Sequence, residues 1–261
     1  MIERAYRTLQ VTAEAGVARV TLNNPARKNA IGPAMVNELL HALSDARDDA
    51  DVRAVVLTGA GDAFCAGGDF AQMTGGADAD ALPPKGDYAD LLLAMVRYTK
   101  PIVARVNGHA LGGGLGLVAG SHFAVAARGA KLGTPEINVG LFPMMIMAVL
   151  ARLVPRRRLL EMMLFGERLD AEAALGCGLV NRVVDAAELD AAVKQICDTI
   201  ASKSPVAVRL GLEAFAAQDG RDLEVALPDL RGRLAGILAT DDAREGLMAF
   251  LEKRTPKWTG R

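Results

Sequence analysis

Cysteine is scarce in this chain: Cys65, Cys177 and Cys197 are the three among 261 residues, with neither CxxC spacing nor any pattern of pairs. A disulfide framework is therefore excluded, and free thiols in a reducing compartment are expected. Charge of either sign is not in excess. The formal net charge is -1, which gives no electrostatic reason to expect nucleic acid or an anionic membrane surface as a partner. No uncharged apolar run reaches the roughly 18 residues needed to span a bilayer. The first ten residues, MIERAYRTLQ, lack the apolar stretch of a secretory signal. A cytoplasmic location is the expectation. No internal repeat is visible. No G-x-S-x-G elbow is present, and Leu117 stands where a G-x-G-x-x-G fingerprint needs its third glycine. Both absences speak against a serine hydrolase and a nucleotide-binding domain.

What remains is a globular composition, with 51% hydrophobic and 23% charged residues. That suits one large α/β domain or two smaller ones around a sizeable core. Leu9–Leu22 alternates apolar and polar residues about Ala15-Gly16 and predicts a β-hairpin. Ala26–Gly32 is a loop carrying Arg27 and Lys28. Pro33 opens a helix in which Met35, Leu39, Leu40 and Leu43 recur at helical spacing. Arg53–Thr58 and Pro101–Val106 are buried strands, each leading into glycine-rich sequence. Thr74–Asp87, rich in Gly, Ala, Asp and Pro, is expected to be a mobile loop. Beyond Ala186 the pattern is almost wholly helical. The expectation is an α/β fold with a βαβ-type core over residues 1–185 and a helical region over 186–261, an appendage that favours oligomers.

The stretch Val106–Gly120, VNGHALGGGLGLVAG, organises the rest. A strand breaking into Gly112-Gly113-Gly114 and then a helix presents backbone N–H groups that no Cβ shields, where the helix dipole favours negative charge. Two readings fit: an anion or oxyanion site, or close packing of helix on strand. Ala66-Gly67-Gly68 repeats the strand–glycine arrangement about 45 residues earlier. Parallel neighbouring strands would bring both loops to one sheet edge, where ligands bind in open α/β folds. Two N–H groups converging there make an oxyanion hole, with each donor worth roughly 3–4 kcal/mol to a transition state.

Four segments in order, Phe64–Phe70 (FCAGGDF), Asn107–Gly114 (NGHALGGG), Gly133–Gly140 (GTPEINVG) and Ala243–Trp258 (AREGLMAFLEKRTPKW), resemble the crotonase superfamily of enoyl-CoA hydratases and isomerases. The resemblance runs over essentially the whole chain. It implies a crotonase-like ββα-superhelix core that binds acyl-CoA and a C-terminal helical trimerisation region, as a homotrimer or dimer of trimers. It implies an oxyanion hole formed by the N–H groups of Gly68 and Gly113, and Glu136 as the acid–base carboxylate. It places Lys28, Ala66, Asp69, Phe70, Phe250 and Lys253 at the coenzyme A moiety, the last two on a neighbouring subunit's ligand. Lys28 and Lys253 also read as solvated lysines, Phe250 as packing surface and Asp69 as a brace for its loop. No metal is implied, nor any cofactor beyond the CoA of the substrate.

One departure decides the expected chemistry. Hydratases of the family use a second glutamate at the position that is Gly116 here. A single carboxylate suffices for isomerisation of a 3-enoyl-CoA to a 2-enoyl-CoA, and this is the favoured reading. An altered hydratase, a lyase and a non-catalytic acyl-CoA binder are the alternatives. Of the remaining residues, His109 is expected to be structural, His41 a solvated or capping side chain, and Cys65 a small buried group. Met144, Met145 and Met147 either line an acyl pocket or fill core. No role is assigned to His122.

Overall fold

The computed structural model describes residues 4–69 and 82–261. The predicted hairpin forms as β1 (Leu9–Glu14) and β2 (Val17–Leu22), antiparallel about Ala15-Gly16. The helix α1 follows at Pro33–Asp48, with Pro33 in its first turn. The main sheet continues with β3 (Ala54–Gly59), β5 (Ile102–Val106), β7 (Phe123–Ala127) and β10 (Arg182–Val184), in the order β1-β2-β3-β5-β7-β10. From β2 onward its neighbours are parallel.

A second sheet was not visible in the sequence. It comprises β4 (Ala63–Cys65), β6 (His109–Leu111), β8 (Lys131–Gly133) and β9 (Arg168–Asp170), each three residues long. Strands this short carry no readable periodicity. They correct the expectation that each glycine loop follows a main-sheet strand directly. The chain passes from β3 to β4 and from β5 to β6 before it meets the glycines. Because β4 and β6 pair in parallel, as do β3 and β5, the two loops still emerge side by side. A helix follows most such pairs: α2 (Tyr88–Val96), α3 (Gly113–Ala119) and α4 (Met144–Leu150). This repeated strand–strand–helix turn is the ββα superhelix.

The main sheet is covered on both faces, which is why β3 is buried along its whole length. Val55, Leu57, Ile102, Ala104 and Val106 face the larger core, which α1, α2, α3 and α4 complete. Ala54, Val56, Val103, Val125 and Ala127 face the other way, onto Leu189, Val193, Ile196 and Cys197 of α7 (Leu189–Ala201). Those four recur at helical spacing on one stripe. By packing, α7 therefore goes with the core, although it lies beyond residue 185. Between β8 and β10 stand α5 (Arg156–Phe165) and α6 (Ala171–Gly176). The helices α8 (Pro205–Gln218), α9 (Leu223–Leu238) and α10 (Asp241–Leu251) extend from the body. Among the described residues, no helix is long and apolar enough to cross a membrane.

Candidate active site

The three glycines at the start of α3 have different duties. Gly112 adopts φ +50° and ψ -123° as the N-cap, a conformation closed to residues with a Cβ. A Cβ there would also lie 2.8 Å from Glu136 Oε1. Gly114 serves close packing, since its Cβ would fall 2.5 Å from the Cys65 carbonyl oxygen. Gly113 lies between them at the first helical position, where an N–H has no intrahelical acceptor. Close packing of helix on strand thus accounts for Gly114, while Gly113 is the position that leaves an N–H without an intrahelical acceptor.

The neighbouring loop is fixed by its backbone. Ile31 N–H donates to the Gly67 carbonyl and Asp69 N–H to the Ile31 carbonyl, each at 2.8 Å. These bonds bracket Gly68, whose own N–H, like that of Gly113, forms no bond among the described residues. Gly68, Gly113 and Glu136 line one cavity of about 630 Å³. The rest of its wall is largely apolar and includes Val139, Phe142, Met144, Met145 and Ile146.

Glu136 sits in a 3₁₀ turn, Pro135–Val139, directly after β8. Its Oε2 is buried with no hydrogen-bond partner among the described residues. Burial raises its pKa above the usual glutamate value, with only a partial opposing effect from its own backbone N–H. A half-buried, under-solvated carboxylate that shares a cavity with two N–H groups unbonded among the described residues is suited to moving a proton next to a carbonyl.

Other expected residues fall into place unevenly. Lys28 is exposed in a left-handed conformation and does not line the cavity, but its carbonyl accepts at 3.0 Å from the N–H of Ala66, which does. Asp69 does not present its carboxylate to the cavity: it is wholly buried and paired with Arg27 at 2.9 Å. This geometry fits the reading of Asp69 as a brace for its loop. Phe70 lies outside the described residues, as does most of Thr74–Asp87. The part from residue 82 onward is held by Asn37, which donates to the Leu82 carbonyl and accepts from Lys85 N–H. Phe250, 82% exposed, and Lys253 stand at the far end of α10 and do not line the cavity of their own chain.

His41 is a correction. It is buried, not solvated, because the 82–85 segment covers that face of α1 and the Pro83 carbonyl lies 2.8 Å from Nε2. His109 Nδ1 accepts from Lys131 N–H, and His122 Nδ1 accepts from Ile102 N–H. Burial drives the His122 pKa down to about 4, so it stays neutral. Cys65 is fully buried with its pKa pushed up to about 11, the opposite of a nucleophile. Met144 and Met145 line the cavity, whereas Met147 packs against the core.

Three residues escaped the sequence reading. Asn29, fully buried, donates to the Ala60 and Ala63 carbonyls and accepts from Asn24 N–H, fixing the Lys28 loop. Asn107 ties β3 to the β4 turn through Gly59 N–H and the Gly61 carbonyl. Tyr88, at the start of α2, reaches the cavity wall. Nothing marks an asparagine in a loop as buried, but a capping aspartate immediately before Tyr88 could have fixed the start of α2. Among the described residues, no cluster of His, Cys, Asp or Glu could hold a metal ion.

The ββα superhelix with paired glycine turns over an apolar cavity defines a crotonase-type protein. Residues 12–261 match the family model described as enoyl-CoA hydratase/isomerase. The crystal structure of an enoyl-CoA hydratase from Mycobacterium smegmatis superimposes with a TM-score of 0.89 at 38% identity, over 97% of this chain and 99% of that one. The human enoyl-CoA hydratase domain-containing protein 3, mitochondrial, is 34% identical over 94% of this chain and 81% of its own length. Carnitinyl-CoA dehydratase of Proteus mirabilis is 32% identical over 98% of this chain and 99% of its own. The chain belongs to the enoyl-CoA hydratase/isomerase family.

Proposed function

We propose that this protein shifts the double bond of an acyl-CoA thioester, converting a 3-enoyl-CoA to a 2-enoyl-CoA with Glu136 as its single base. The observation that carries this reading is the carboxylate inventory of the cavity. Among the described residues only Glu136 and Asp87 line it, and Asp87 is engaged by Ala89 and Asp90 N–H as the cap of α2. The position where a second glutamate would stand is Gly116.

In the proposed reaction the Glu136 carboxylate takes a proton from C2, and the electron pair moves onto the thioester oxygen. The Gly68 and Gly113 N–H groups stabilise that dienolate. The protonated Glu136 then returns a proton to C4, the double bond comes to lie between C2 and C3, and the carboxylate is regenerated. Lys28 and Ala66 would flank the CoA at the cavity mouth. Phe250 and Lys253 would reach the CoA held by a neighbouring chain, in a homotrimer or a dimer of trimers. No cofactor beyond the CoA of the substrate is needed.

Hydration is the second reading, favoured by the relatives' own names, hydratase and dehydratase. It would need another acid–base group beside Glu136. The two readings separate by incubating the purified protein with 3-enoyl-CoA and with 2-enoyl-CoA. A conjugated 2-enoyl product from the first substrate, with no hydroxyacyl-CoA from the second, supports isomerisation. Hydroxyacyl-CoA as the main product rejects it.

A further inference from the structure

Tyr88 has no part in the reaction as written, yet it meets the site at two points. Its Oη lies 2.5 Å from the Gly113 carbonyl oxygen, to which it donates. The Tyr88 Oη would also lie 2.2 Å from a Cβ on Gly116, with Ile146 Cγ2 at 2.4 Å closing the other side. The space at residue 116 is thus filled from α2 and α4, and no side chain fits there without displacing one of them. The ring itself is fixed: α2 starts with a reciprocal capping box between Asp87 and Asp90 and buries Leu91, Leu92 and Met95.

We propose that Tyr88 is a positioning residue of this site. Its O–H, donated to the Gly113 carbonyl, holds the first turn of α3 so that the Gly113 N–H faces the thioester oxygen, and its ring closes residue 116 so that the site works with one carboxylate. The proposal rests on the acyl-CoA reading above. The phenol acts as a donor because burial keeps it protonated, its pKa raised well above the ordinary tyrosine value. It acts through Gly113, the first residue of the seven-residue helix α3. A small tilt of that turn would misdirect the N–H, and donor geometry sets the strength of an oxyanion hole.

The test uses Tyr88→Phe in the full-length protein, with a donor-substituted cinnamoyl-CoA as probe. The absorption of this thioester moves to the red as its carbonyl is polarised. The expected result is a smaller red shift on the variant than on the wild type, with probe affinity and KM unchanged. Turnover should fall about tenfold, the scale of one lost hydrogen bond. Gly116→Ala reaches the same hydroxyl from the other side and should give the same signature, which keeps the test decisive if the Phe variant does not fold. A full red shift and full kcat in both variants would overturn the role of Tyr88 while leaving the acyl-CoA reading intact. A wild-type protein that neither binds nor shifts the probe would overturn that reading and this proposal with it.

Discussion

Glu136 combines a buried Oε2, unpartnered among the described residues, with a pKa raised by burial. Glu136→Gln keeps the shape and removes the proton shuttle. Turnover should fall by about 10²–10⁴-fold while acyl-CoA affinity is retained, as steady-state kinetics and calorimetric titration would show. The base acts in its deprotonated form, so kcat/KM should decline as pH falls through a pKa above the ordinary glutamate value of about 4.3. A pH–rate profile with its acid limb at or below that value would contradict the assigned environment. Stability should run the other way. A carboxylate whose folded-state pKa is raised stabilises the fold below its unfolded pKa, and that contribution is lost as pH rises through the folded pKa. The Gln variant should therefore melt above the wild type at about pH 7.5, with the difference shrinking toward about pH 4. Thermal unfolding at both values checks the sign.

At the scale of elements, α3 is the piece that turns glycine spacing into chemistry. Gly114→Ala drives a Cβ to within 2.5 Å of the Cys65 carbonyl and should destabilise the protein by about 1–3 kcal/mol in denaturant unfolding. Gly113→Pro tests the donor itself. Proline is accepted at the first helical position, and the closest obstruction to a Cβ is Ile31 Cγ2 at 2.9 Å. Helicity should survive by circular dichroism while turnover is lost, and a variant with full turnover would refute the assigned oxyanion hole. The hairpin, α1, β3, β5 and the late helices were legible because each carries an alternating, helical or continuous apolar pattern. The second sheet was not, because β4, β6, β8 and β9 are too short to show one and are held by their neighbours. That Glu136, Gly68 and Gly113 share one cavity was legible from the four ordered motifs that single them out. The burial of the Asp69 side chain was not legible, because it is paired with Arg27 from another loop. Burial of His41 likewise depends on residues 82–85, some 40 positions away in the chain.

At the scale of the molecule, α8, α9 and α10 leave large apolar side chains in the open, among them Phe215, Leu227, Leu234, Leu238 and Phe250. We propose that this surface is where copies of the chain meet, since large exposed apolar patches commonly serve as interfaces. Light scattering on the eluting protein should give three or six times the chain mass, and a stable monomer would contradict the assembly proposed here. In the proposed reaction, one carboxylate and two backbone N–H groups of a single cavity handle an enolate. The most direct test is turnover of a 3-enoyl-CoA in heavy water, followed by mass spectrometry. The predicted product is a 2-enoyl-CoA carrying deuterium at C4 or C2 and no added oxygen. A hydroxyacyl-CoA product, heavier by the elements of water, would contradict the single-base isomerisation.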